Sequence, residues 1–178
     1  MPALLIVFSG PPCAGKSTIA AEVAVRRSIP HLQMDATRRR ILPDSPHTRA
    51  DRATAYRAMH FAAELLLANG VGVVLDAPYG HPEDRRELAR VAADTHAAAF
   101  LVECAVTPDT AVQRLLARGP DSVRLDLTPE RVDTMVREFH YSCLGLLLDT
   151  VALDPAACVR SVEDFVASGR TSDFSVWP

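Results

Sequence analysis

Residues 10–17 constrain the fold of this chain more than any other feature of the sequence. They read Gly-Pro-Pro-Cys-Ala-Gly-Lys-Ser, follow the apolar run 4–8 and precede a segment with helical periodicity. This is the Walker A pattern, in which a strand leads through a glycine-rich loop into a helix. Backbone N–H groups of such a loop, together with the positive end of the helix, form a cradle for anions. The loop therefore predicts binding of the phosphates of ATP or GTP.

Two positions of this loop have predicted chemical roles. We expect Lys16 to bridge the β- and γ-phosphates and the Ser17 hydroxyl to coordinate Mg²⁺. Lys16 is the only lysine among 19 basic residues, and its compact ammonium suits a phosphate. The predicted nucleotide-binding residues here are Gly10, Pro11, Pro12, Cys13, Ala14, Gly15, Lys16, Ser17 and Thr18.

Strand and helix patterns alternate along the 178 residues, which predicts an α/β fold with a parallel sheet. The length favours one domain spanning residues 1–178. The predicted strands cover residues 4–8, 31–34, 71–75, 98–104 and, weakly, 150–153. The predicted helices cover residues 16–27, 48–69, 81–93, 107–118, 128–147 and 155–168.

Composition argues against several other classes of protein. No apolar run approaches the roughly 20 residues that cross a bilayer, and the N-terminal apolar stretch lacks the basic flank of a signal peptide. We therefore expect a cytoplasmic protein without a membrane partner. The net charge of −3 lacks the basic excess typical of proteins that hold long nucleic acids. The four cysteines and six histidines do not have the spacing of a zinc site.

Asp35 ends the second predicted strand, at the edge where ligands gather in parallel α/β sheets. Arg38 follows three residues later and lies near the same face if a helix begins at Ala36. The carboxylate could accept the proton of an attacking hydroxyl, while the arginine neutralises phosphate charge or keeps the carboxylate ionised. The alternative is that Asp35 serves only as the N-cap of that helix.

Asp76 directly follows the apolar strand 71–75, in a pattern similar to a Walker B strand. Its carboxylate could hold Mg²⁺ through water or contact the acceptor, and it could also be a simple turn residue.

Arg114 and Arg118 lie four residues apart and so share a helix face. They lead into residues 119–127, a predicted irregular loop that contains Arg124. Arginines beside a mobile loop can close over a transferring phosphoryl group, although surface ion pairs are the alternative. Residues 48–57 carry further arginines that could border an acceptor site or form an exposed helix face.

Together these motifs resemble the small P-loop kinases. The likeness is strongest to the kinase domain of phage-type polynucleotide 5′-kinases, in a group with chloramphenicol phosphotransferase, zeta toxins and gluconate-kinase-like enzymes, and it spans roughly residues 4–141. The resemblance implies a three-layer α/β/α sandwich with strand order 2-3-1-4-5 and a small lid at about residues 119–128. It implies that Asp35 is the general base, that Arg38 binds on the acceptor side and that Arg118 contacts the ATP phosphates.

These features predict an ATP- or GTP-dependent and Mg²⁺-dependent kinase. The predicted catalytic residues are Lys16, Asp35, Arg38 and Arg118, with Arg114 as a further nucleotide-binding residue and Ser17 and Asp76 as metal ligands. The predicted acceptor is a hydroxyl of a small molecule, such as an antibiotic or a nucleoside-like or carbohydrate-like compound. A 5′-hydroxyl polynucleotide kinase acting on short nucleic-acid ends is one alternative. A regulatory nucleotide-binding ATPase without kinase activity is another.

Overall fold

The computed structural model describes residues 2–44, 46–118 and 127–178, in which five strands alternate with seven α-helices. The strands are β1 (Leu4–Ser9), β2 (His31–Gln33), β3 (Val73–Asp76), β4 (Ala98–Ala105) and β5 (Leu146–Asp149). The helices are α1 (Lys16–Arg27), α2 (Met34–Ile41), α3 (Arg49–Ala68), α4 (Pro82–Asp94), α5 (Pro108–Leu116), α6 (Pro129–Arg137) and α7 (Pro155–Ala167). A single 3₁₀ turn covers Phe174–Val176.

The strands form one parallel sheet in the order β2-β3-β1-β4-β5, which confirms the predicted order. Asp76 pairs with Phe8 of β1 on one side and with Gln33 of β2 on the other. The carboxyl ends of these three strands therefore lie at one edge of the sheet. This edge is also where the loop after β1 begins.

Two apolar clusters, one on each face of the sheet, give the molecule its three layers. Alternate strand residues face opposite sides, so Ile6 packs towards α1 and α7 while Leu5 and Val7 pack towards α3 and α4. The strands are buried on both faces, which explains why they read as continuous apolar runs.

Polar side chains cap the N-termini of several helices. Thr48 and Asp51 form a capping box at the start of α3. Thr107 and Asp154 accept N-terminal N–H groups of α5 and α7, each of which has a proline in its first turn. Helix α1 has the predicted bounds, and α2 begins earlier than expected, at Met34.

The predicted helix 128–147 is wrong, because α6 ends at Arg137. The carboxylate of Glu103 accepts the N–H groups of Ser142 and Cys143, each over 2.8 Å, and so holds the following segment against β4. Gly145 then lies so close to the carbonyl of Leu101 that a Cβ would overlap it. These contacts come from a strand about 40 residues earlier, so local periodicity could not reveal them.

The predicted weak strand 150–153 is also wrong. The fifth strand is Leu146–Asp149, and residues 150–153 form a turn. Asp149 Oδ1 accepts the N–H groups of Val151 and Ala152, over 2.8 and 3.0 Å, which bends the chain towards α7.

The predicted lid, at about residues 119–128, lies almost entirely within residues 119–126, which are outside the described segments. Arg124 lies there as well. None of the described helices combines the length and apolar character needed to span a bilayer.

Candidate functional site

The loop between β1 and α1 has the backbone geometry of an anion cradle. Gly10 has a φ of 143°, and a Cβ there would lie 2.6 Å from the carbonyl oxygen of Cys104. Gly15 has a φ of 82° and is the N-cap of α1, without a side-chain cap to satisfy the first N–H groups. Both positions therefore favour glycine, and the start of α1 presents its donors to a ligand.

Lys16 is buried at the base of this cradle, with a relative exposure of 9%. Its Nζ donates a 2.7 Å hydrogen bond to the carbonyl of Pro11. Burial lowers the pKa of Lys16, while the nearby negative charges of Asp76 and Asp35 raise it. Burial outweighs these charges, so the pKa of Lys16 lies below its ordinary value.

Asp76 and Ser17 are joined through Gln33. The Gln33 Nε2 donates hydrogen bonds to Ser17 Oγ, over 2.7 Å, and to Asp76 Oδ2, over 3.1 Å. Burial opposes ionisation of Asp76, but His31, Lys16 and Ser17 together lower its pKa. The His31 Nε2 lies 3.7 Å from Asp76 Oδ2. Asp76 is thus an ionised carboxylate beside the Walker A serine.

The residues at this place fit Mg²⁺. A hydroxyl and a carboxylate supply the oxygen donors that Mg²⁺ prefers, and the ion commonly takes its other ligands from phosphates and water. Within the described segments, no group of three or more His, Cys, Asp or Glu side chains could hold a metal by itself.

Asp35 lies in the first turn of α2, and Arg38 lies one turn further on. The Arg38 Nε is 3.9 Å from Asp35 Oδ1, so the predicted pair is brought together. Arg38 is only 2% exposed, and among the described residues its Nε and Nη2 have no hydrogen-bond partner. A buried guanidinium with unused donors is suited to an oxygen-rich ligand.

Arg114 and Arg118 border a cavity of about 550 Å³ on the other side of the loop. Arg114 Nη1 donates to the carbonyl of Cys13, over 3.2 Å, and to Thr150 Oγ1, over 3.0 Å. The remaining walls come from the start of α1 and from the turn 150–155. The cavity therefore opens beside the loop between β1 and α1.

The side beyond Asp35 is built from α3 and the start of α4. The hydroxyl of Tyr56 accepts the N–H of Tyr79, over 2.9 Å, and Arg49 Nη1 lies 3.2 Å from Asp84 Oδ2. Burial raises the pKa of Asp84, which the partnership with Arg49 opposes. Burial and the charges of Asp84 and Asp35 also raise the pKa of Tyr56, so this hydroxyl stays protonated.

Sequence reasoning did not find Gln33, Tyr79 or the turn at 150–155. Gln33 stands two residues before Asp35 at a strand end, and this position was the one sequence signal that could have marked it as a site residue. The other two depend on tertiary packing.

Comparison with known proteins places these features in a family. A family model described as an AAA domain matches residues 5–141. An uncharacterized protein of Mycobacterium tuberculosis is 33% identical over 127 residues, which cover 65% of this chain and 26% of that protein. The chain thus spans about a quarter of the length of its mycobacterial relatives. An adenylate kinase of Rhodopirellula baltica is 27% identical over 88% of this chain and 91% of its own length.

Solved structures with the same fold include kinases. An APS kinase of Mycobacterium tuberculosis in complex with AMPPNP and APS has a TM-score of 0.73 and 21% identity, covering 93% of this chain and 98% of that one. A gluconokinase of Sinorhizobium meliloti has a TM-score of 0.69 and 19% identity, covering 94% and 93%. The fold is therefore that of the P-loop kinases.

Proposed function

The chain belongs to this AAA domain family, and we propose that it is an ATP- and Mg²⁺-dependent kinase that transfers the γ-phosphate to a hydroxyl of a small molecule. A single P-loop domain carries the proposed reaction. The observation that supports it best is the grouping of three charged side chains at the edge of the sheet where the Walker A loop begins: Arg38 Nε lies 3.9 Å from Asp35 Oδ1, and Gln33 links Asp76 to Ser17. A protein that only binds nucleotide has no need of a carboxylate at Asp35.

In the proposed reaction, each residue has one task. The N–H groups around Gly15 and the ammonium of Lys16 hold the phosphates and balance their charge. Asp35 accepts the proton of the acceptor hydroxyl while the hydroxyl oxygen attacks the γ-phosphorus and the bond to the β-phosphate oxygen breaks. Arg38 orients the acceptor beside Asp35, and Arg118 contacts the phosphates from the opposite wall.

Ser17 and Asp76 would hold Mg²⁺, which neutralises phosphate charge when bound. The cavity beside Arg114 and Arg118 would receive the nucleoside. ATP is the proposed donor, in keeping with the AMPPNP contained in the APS kinase complex of the same fold.

Transfer of labelled phosphate from [γ-³²P]ATP to a library of hydroxyl compounds tests the proposal. We expect at least one small hydroxyl compound to be labelled by the wild type, and Asp35→Asn to reduce the rate about 100-fold or more through loss of the base. Asp94→Asn, which changes an exposed carboxylate paired with Arg90, is the matched control. If the Asp35→Asn protein keeps full activity, Asp35 is not the general base. ATP turnover that no hydroxyl compound stimulates would instead favour a regulatory ATPase.

A 5′-hydroxyl polynucleotide kinase is the second candidate. Arg39 and Arg40, both exposed, follow Arg38 directly, so the short helix α2 carries three consecutive positive charges next to Asp35. Labelling of a 5′-hydroxyl oligonucleotide in preference to every small hydroxyl compound would support it. The binding of that oligonucleotide should then weaken with salt, because phosphate contacts release counterions.

A further inference from the structure

Gln33 lies between the two residues proposed to hold Mg²⁺. Its Nε2 donates to both Ser17 Oγ and Asp76 Oδ2, over 2.7 and 3.1 Å. Gln33 is the last residue of β2 and pairs with Asp76 across the sheet, so the backbone fixes where this side chain begins. An ionised carboxylate can only accept hydrogen bonds, which means that the amide nitrogen, and not the amide oxygen, faces Asp76.

This arrangement opposes the binding of a cation. Mg²⁺ binds oxygen lone pairs, and the two Gln33 hydrogen bonds use lone pairs of the same two oxygens. The amide hydrogens also carry partial positive charge and would repel the ion. A cation placed between Ser17 Oγ and Asp76 therefore competes with both hydrogen bonds for the same two oxygens.

We propose that Gln33 is a positioning residue for the metal: its amide holds Ser17 and Asp76 together until Mg²⁺ arrives, and the cost of displacing it lowers the metal affinity of the nucleotide-free protein. This inference rests on the proposed function in taking Ser17 and Asp76 as the metal site. A metal ion that arrives with nucleotide phosphates brings further ligands and displaces the amide more readily. Gln33 thus makes metal binding depend on the nucleotide.

The displacement leaves the proposed base in place. The Gln33 carbonyl accepts a 2.9 Å hydrogen bond from Thr37 Oγ1, and Gln33 is the N-cap of α2. The main chain that leads to Asp35 is therefore held independently of the Gln33 amide. Rotation of the side chain alone releases Ser17 and Asp76.

Binding of Mn²⁺ to the full, nucleotide-free chain, measured by electron paramagnetic resonance, tests the inference without any phosphate transfer. We expect Gln33→Ala to bind Mn²⁺ about tenfold more tightly than the wild type, because two hydrogen bonds no longer compete. Gln33→Met keeps the length of the side chain but has no hydrogen-bond donor, so it should bind Mn²⁺ as tightly as Gln33→Ala does. Gln113→Ala, at an exposed position of α5, is the matched control and should bind as the wild type does.

Unchanged or weaker Mn²⁺ binding by both Gln33 variants would overturn the inference. Asp76→Asn separates this failure from a failure of the metal site. If Asp76→Asn weakens Mn²⁺ binding while the Gln33 variants do not strengthen it, the assignment of the metal site is supported and the proposed role of Gln33 is wrong. If Asp76→Asn does not change Mn²⁺ binding, the assignment of the metal site is wrong, and so is the inference about Gln33. The test of Asp35 as the base does not depend on this result.

Nuclear magnetic resonance gives a second readout that needs no variant to fold. The chain has two glutamines and one asparagine, so a ¹⁵N spectrum contains three side-chain amide pairs. Adding Mg²⁺ with a non-hydrolysable ATP analogue should shift the Gln33 pair and leave those of Gln113 and Asn69 in place. A Gln33 pair that does not move when the metal and the analogue bind would contradict the proposed displacement.

Discussion

The guanidinium of Arg114 donates a hydrogen bond to the carbonyl oxygen of Cys13, over 3.2 Å, and so joins α5 to the phosphate loop. Cys13 has a φ of 61°, a left-handed conformation that is uncommon outside glycine. The same guanidinium contacts Thr150, which follows β5. One side chain therefore holds a strained loop residue, a helix and a turn in a fixed relation around the cavity that Arg114 and Arg118 border.

Replacing Arg114 with methionine should loosen this arrangement. Loss of the charged hydrogen bonds should reduce the free energy of unfolding by about 2–3 kcal/mol and weaken ATP binding about tenfold. Arg137→Met removes an exposed arginine that pairs within its own helix and should change neither quantity by more than about 0.5 kcal/mol. Urea unfolding and nucleotide titration measure both effects. If the Arg114→Met protein is stable and binds ATP as the wild type does, Arg114 does not contribute to nucleotide binding.

Lys16→Met should abolish tight nucleotide binding while leaving the fold intact. The change removes the ammonium that we propose balances the phosphates, so we expect ATP affinity to fall about 100-fold. Arg26→Met, at the solvent-facing end of the same helix, is the control. Isothermal titration calorimetry with ATP and Mg²⁺ compares the ATP affinities of the two variants with that of the wild type. If Lys16→Met binds ATP as the wild type does, the phosphates lie elsewhere.

Gly145→Ala should destabilise the edge of the sheet. The added methyl group would overlap the carbonyl of Leu101, and backbone cannot move aside as a flexible side chain can. We expect a loss of about 2–3 kcal/mol in the free energy of unfolding. Gly80→Ala is the matched control, because no atom lies within 4 Å of a Cβ built there. Equal denaturation midpoints for the two variants would contradict the packing described for β5.

The buried His60 should make the protein less stable in mild acid. Burial lowers the pKa of His60 to about 4 from an ordinary value of 6.5, and its Nε2 lies 3.1 Å from the Tyr79 hydroxyl. Below pH 6.5 the unfolded chain takes up a proton that the folded chain refuses until about pH 4, so stability is lost as the pH falls through this window. The loss from this residue is at most about 3 kcal/mol.

Thermal unfolding of His60→Gln between pH 7 and pH 4.5 checks this contribution. The glutamine amide can still hydrogen-bond to the Tyr79 hydroxyl but does not titrate, so the midpoint should fall less steeply with acid than in the wild type. His81→Gln, at an exposed position, should follow the wild-type curve. Parallel curves for all three proteins would show that His60 does not contribute.

Features that depend on neighbours in sequence were predictable. The Walker A loop and the bounds of α1 follow from a strand, two glycines and a helical pattern within a short segment. Asp35, Arg38 and Asp76 could be named because the ends of parallel strands meet at one edge of the sheet. The structure brings Asp35 and Arg38 together as the spacing indicated, and their catalytic roles remain predictions.

Features that depend on distant residues were not predictable. The segment before β5 carries helical periodicity, and only Glu103 and Leu101 of β4 show why it leaves the helix after Arg137. The place of Gln33 follows from its register with Asp76, which a single sequence does not reveal. The tertiary partners of Arg114 could not be foreseen either, although its helix was.

A lone lysine, 9% exposed, also makes the chain its own reporter of unfolding. A protease that cuts only after lysine has one bond to attack, between Lys16 and Ser17, where α1 begins. Cleavage requires α1 to open, so a single cut at this bond counts opening of the nucleotide cradle without interference from surface nicks. Ligands that fill the cradle should slow that cut more strongly the more tightly they bind.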